Sequence, residues 1–187
     1  MGCQQPSNAV EPSGHDGGIE MKFAVMLALV LGTLHAQNNL VSAEQRYFTA
    51  VRHSLETSAD VMPPEKFGYR ITDAQMTFAE WLIHSAQRNY ADCATLKAEA
   101  APESAKQLAS LKSKDEVSKA LKDSFAYCAV ALDKMDDQKV LATPQMSTAF
   151  LHIVVHNNEI YGNLVGYLRS SGIVPPSTAG RGGASAK

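Results

Sequence analysis

Four stretches downstream of Gln37 place apolar residues three or four positions apart, and each is opened by a residue type that caps helices. That spacing gathers the apolar groups on one side of a helix. A strand, whose side chains alternate every two residues, cannot use it. Ser42-Ala43-Glu44-Gln45 matches a capping box at the start of the first stretch. Tyr47, Phe48, Val51 and Leu55 form its stripe, and Pro63 and Pro64 stop it near Val61. Thr72-Asp73-Ala74-Gln75 opens the second, with Phe78, Trp81, Leu82, Ser85, Asn89, Cys93 and Leu96 inward. Ser113-Lys114-Asp115-Glu116 opens the third, with Val117, Leu121, Phe125, Cys128 and Leu132 inward. Thr143 before Pro144 opens the fourth, and Gly172 and Pro175 close it. Its stripe is Phe150, Ile153, Asn157, Ile160, Leu164 and Leu168. Four such helices bury their stripes only against one another, so the expected fold is all-α, a four-helix bundle over 37–176. The link from Met62 to Ile71 is long enough to cross the bundle end.

The region before the first stretch has a different character. Residues 1–20 carry no apolar period and read as a non-native or disordered extension. Met21 and Lys22 then precede an apolar run from Phe23 to Leu34, about 18 Å long as a helix against a ~30 Å hydrocarbon core. A basic start, a short apolar run and a small residue at Ala36 describe a signal peptide over 21–36. The competing reading is a buried N-terminal helix. Cleavage near Ala36 implies export to a periplasmic or extracellular space and leaves no stable membrane span. The Gly/Ala/Ser-rich residues 177–187 read as a disordered tail.

Composition removes other classes. An apolar share of 45% excludes wholesale disorder, and a net charge of −2 argues against a basic nucleic-acid-binding face. Three cysteines are too few for a disulfide-framework miniprotein. Cleavage would remove Cys3 and leave Cys93 and Cys128, both on inward stripes. They are either a disulfide, if their Cα atoms come within about 7 Å, or two buried reduced thiols. The sequence has no phosphate-binding glycine loop, no Cys-x-x-Cys and no nucleophile motif.

Three segments carry a resemblance. Val61-Met62-Pro63-Pro64-Glu65-Lys66-Phe67-Gly68-Tyr69-Arg70-Ile71-Thr72 precedes the second helix, which contains Thr77-Phe78-Ala79-Glu80-Trp81-Leu82-Ile83-His84. The fourth helix holds His156-Asn157-Asn158-Glu159-Ile160-Tyr161-Gly162-Asn163-Leu164-Val165-Gly166-Tyr167-Leu168-Arg169. Together, from about Ser42 to Ser177, these resemble the DinB-like (DinB/YfiT-like) family of four-helix metalloenzymes. The resemblance implies a divalent metal, zinc or nickel, held by one histidine on the second helix and an His-x-x-x-His pair on the last. It also implies a small-molecule or thiol substrate for a hydrolase or transferase, and a homodimer. His84 matches the first ligand and His156 the second. The third position is Ile160, which cannot bind a metal.

Substitute ligands are Glu159, three residues from His156, and His152, four residues before it; His53 on the first helix is a further candidate. Glu159 could equally serve as a hydrogen-bond acceptor behind a ligand. Tyr161, Asn157 and Asn163 either line a pocket or are satisfied packing residues. The competing function is a metal-free binding or structural bundle whose cavity is lined by Ile160 and other apolar groups.

Overall fold

The computed structural model describes residues 1–2 and 39–179. Cys3, the extension, the expected signal peptide with its cleavage point at Ala36, and the tail from 180 lie outside the described residues. Among the described residues the chain is all-helical, with no strand. The long helices are α1 (Asn39–Val61), α2 (Phe78–Lys97), α3 (Lys114–Leu132) and α4 (Pro144–Ser170). Short helical turns at Pro64–Lys66, Ser104–Gln107, Leu108–Ser110, Asp137–Val140 and Pro176–Ala179 lie in the connections and after α4. No helix among the described residues is long and apolar enough to cross a membrane.

Helices α3 and α4 begin where their caps predict. Ser113 and Glu116 form a reciprocal capping box, and the Thr143 side chain accepts from the Met146 amide ahead of Pro144. Every stripe residue expected on α3 and α4 is buried. Gly172 closes α4 with φ of +77°, a conformation glycine adopts without Cβ strain.

The other two starts correct the sequence reading. Helix α1 begins at Asn39, so Ser42–Gln45 lies inside it and is not a cap. Its free amides are taken by a distant carboxylate: Asp137 accepts from Leu40 N at 3.2 Å and Val41 N at 2.9 Å. Tyr47 is 64% exposed and leaves the predicted stripe, while Phe48, Val51 and Leu55 are buried. Helix α2 begins at Phe78 rather than after Thr72. Its capping box is Thr77 with Glu80, and Thr72–Gln75 forms a turn outside the helix. Trp81 is half-buried, and the remaining predicted α2 stripe is buried.

Cross-helix pairs fix the directions. Lys114 Nζ donates to the Asp60 and Met62 carbonyls, so α3 starts where α1 ends. Lys66 Nζ donates to the Ser171 carbonyl, which places the ends of α1 and α4 together. Trp81 meets Tyr167 and Asp92 meets His152, so α2 and α4 are antiparallel. Asn89 meets Ser124 and Cys93 meets Cys128, so α2 and α3 are parallel. Parallel neighbours require a return connection. The segment 98–113 supplies it along α2, where Leu108 packs against Ala86 and Tyr90.

One apolar core is shared by all four long helices, and Leu55, Leu82, Phe125, Phe150 and Leu164 have no exposed surface. Burial of each such side chain is worth roughly 1.5–3 kcal/mol before entropy is charged against it. A polar ladder crosses this core: Ser85 donates to Asn157, Asn157 to Asn89, and Asn89 to Ser124. All four are essentially buried, and mutual hydrogen bonding avoids the penalty of unpaired polar groups. Beside the ladder Cys93 and Cys128 are joined as a disulfide, with Cα atoms 5.2 Å apart.

Candidate functional site: the histidines between α2 and α4

Helix periodicity aligns two polar rows. His84, Arg88 and Asp92 recur every four residues on α2, and His152 and His156 do so on α4. The antiparallel packing of α2 on α4 then brings the rows together. His84 Nε2 and His156 Nε2 lie 3.0 Å apart, with their rings edge to face at 4.9 Å between centroids. His152 stacks on His156 at 4.7 Å with 14° between planes. Its Nδ1 lies 2.7 Å from Asp92 Oδ2, and the other Asp92 oxygen takes Arg88 at 2.9 Å.

Burial holds both His84 and His156 below the ordinary histidine range. The Arg88 and His152 charges act in the same direction on His84, and His152 and His84 do so on His156; Glu159 opposes on both. Neutral imidazoles offer a lone pair, the state that binds a metal.

Two nitrogens bonded to one zinc ion at about 2.0–2.1 Å stand roughly 2.9 Å apart at a right angle and about 3.3–3.4 Å apart at zinc's usual tetrahedral angle. The observed 3.0 Å is the length of a hydrogen bond between the two rings, and a small outward shift of either ring would bring the pair to the tetrahedral spacing. The remaining positions supply no third donor as they stand. Ile160 has no exposed surface and belongs to the core. Glu159 is exposed, and its carboxylate lies 3.4 Å from His156 Nδ1, the ring nitrogen turned away from His84. That contact suits orienting the ring. His152 has Nδ1 committed to Asp92. His53 lies in a separate groove with Ala129, Leu132 and Asp133 of α3 and its C-terminal cap, not with α2 or α4. Among the described residues no group of three or more His, Cys, Asp or Glu is arranged to hold a metal ion.

The pocket candidates separate. Asn157 is part of the buried ladder. Tyr161 donates to Ser177 Oγ at 2.8 Å and accepts from the Ser177 amide, anchoring the helical turn after α4. Asn163 donates to the Glu159 carbonyl. None of the three lines the cleft at His84. That cleft, about 630 Å³, lies between the loop 67–76, the first turns of α2 and the segment 109–112, with His84 in its wall. Above α4 the loop is seated by Ile71, whose Cδ1 would stand 3.3 Å from a Cβ at Gly166. Tyr167 ties the loop to α2 by accepting from Trp81 Nε1 and donating to the Met76 carbonyl.

No family model, no curated protein and no solved structure matches this chain.

Asp92 went unnoticed in the sequence because an i,i+4 Arg–Asp pair usually marks a solvent face. The signal that could have found it is the four-residue recurrence of His84, Arg88 and Asp92 on one helix and of His152 and His156 on the other.

Proposed function

We propose that this chain is an exported DinB-like four-helix bundle whose His84 and His156 hold a divalent metal, zinc or nickel, beside a small-molecule cleft. The reading rests chiefly on the 3.0 Å approach of the two Nε2 atoms. In it the protein is a hydrolase or transferase. His84 and His156 bind through Nε2, Glu159 orients the His156 ring from Nδ1, and Asp92 holds His152 stacked on that ring. A metal there would supply a Lewis acid able to polarise a bound substrate or activate water or a thiol. The cleft at His84 would hold the substrate. Metal analysis of untagged protein tests this: about one zinc or nickel per chain is expected, and substoichiometric metal unaffected by His84→Ala would refute it.

A second reading is favoured by the complete burial of Ile160. In it the third ligand has been replaced by core, the centre is degenerate, and the bundle binds without catalysis. Ile160→His should then create metal affinity where little existed. Equal affinity before and after that change would remove the basis for this reading.

A further inference from the structure

The cleft beside His84 has a charge arrangement that its apolar walls do not explain. Arg70, on the loop before α2, and Lys112, just before α3, both line it. Among the described residues neither side chain closes an ion pair or makes a hydrogen bond, although both charges help to hold the Glu80 carboxylate below its usual range. Two acids also line the cleft, but they are not equivalent counterparts. The Glu80 carboxylate is committed to its own helix, with Oε2 2.6 Å from the Thr77 amide; that bond is the main cause holding it below the usual carboxylate range. Asp73 sits in the turn 72–75, exposed as Arg70 and Lys112 are, and closes no ion pair with either.

The start of α2 is not itself an anion site, because its first amides are taken. Phe78 N donates to the Tyr69 carbonyl, Ala79 N to the Phe67 carbonyl, and Glu80 N to Thr77 Oγ1. The positively charged donors left in this cleft are Arg70 and Lys112, beside the neutral side-chain amides of Gln75 and Gln87. A guanidinium offers five donors and an ammonium three, and both bind carboxylates through charge-assisted hydrogen bonds. The apolar share of the wall includes Phe67, Met76, Ile83 and Leu111.

We propose that the cleft binds a small carboxylate with an apolar body, its acid group held by Arg70 and Lys112 and its body against Phe67, Ile83 and Leu111, within reach of His84. This deepens the metal reading by naming a ligand class. It rests on that reading for the chemistry at His84 and not for binding.

Calorimetric titration of the full chain with octanoate, below its micellar concentration and with and without EDTA, tests the proposal. One site per chain is expected, with affinity unchanged by EDTA. Arg70→Gln combined with Lys112→Gln should weaken it at least tenfold while the circular dichroism spectrum stays the same. Octylammonium and inorganic phosphate should bind at least tenfold more weakly than octanoate. Absence of octanoate binding, equal or tighter binding of octylammonium or phosphate, or an unaltered affinity in the double variant would each overturn it. Binding that persists in EDTA while metal analysis finds no centre would leave this inference standing and defeat the metal reading, so the two fail separately.

Discussion

His84 Nε2 and His156 Nε2 face each other at 3.0 Å across the α2–α4 contact. Only one hydrogen can lie between two such atoms, so without an ion one imidazole donates and the other accepts. Glu159 and Asp92 lie behind this pair, the first at His156 Nδ1 and the second through the stacked His152. The frame that holds these rings is stabilised independently of any bound ligand.

Glu44 makes stability depend on pH. It lies 7% exposed, with one carboxylate oxygen lacking a hydrogen-bond partner, and burial raises its pKa to about 7. The folded value lies above the unfolded one, so the protonated acid favours the folded state. Its contribution is fully present below about pH 4.5 and is lost as pH rises through about 7. The difference corresponds to roughly 3 kcal/mol. Urea unfolding at pH 5 and pH 8 should show the wild type losing stability that Glu44→Gln retains. Identical pH slopes for the two proteins would contradict this.

Reduction should destabilise the protein substantially. The Cys93–Cys128 bridge closes a sequence separation of 35 residues, worth about 3–4 kcal/mol in the chain-entropy description. Both cysteines are 0% exposed, so reductant should act slowly on the folded protein. Replacing both by alanine should lower the urea midpoint without changing the helical signal. A midpoint equal to that of the oxidised protein would argue against a bond in solution.

The two candidate caps before α2 should respond differently. Thr77→Ala removes the acceptor for the Glu80 amide and should cost about 0.5–2 kcal/mol. Thr72→Ala touches only an exposed turn and should stay within about 0.5 kcal/mol. Thermal unfolding of the two variants measures this directly; a larger loss at Thr72 would restore the earlier start of α2.

These caps show what local sequence could and could not specify. Helices α3 and α4 were legible because Ser113–Glu116 and Thr143–Pro144 each stand alone before an apolar stripe. Before α2 two Thr-x-x-acid/amide patterns compete. The deciding factor is tertiary: the Phe67 and Tyr69 carbonyls accept the Ala79 and Phe78 amides. Before α1 the cap comes from Asp137, 96 residues beyond Val41 in sequence, which no local window contains. The disulfide was one of two open readings, because stripe positions give a facing and not a height. His84 and His156 were named through a family resemblance, and their spacing alone does not announce a site. The ladder between Ser85, Asn157, Asn89 and Ser124 was visible only as polar residues on inward stripes; their partners depend on helix direction.

In the proposed function, His84 and His156 are joint ligands of one divalent ion. Calorimetric zinc titration of untagged, chelator-treated protein tests it most directly, with His84→Ala and His156→Ala run beside the wild type. One zinc per chain is predicted for the wild type, with affinity falling at least tenfold in either variant. Zinc binding of the same stoichiometry and affinity in all three proteins, or none in the wild type, would contradict it.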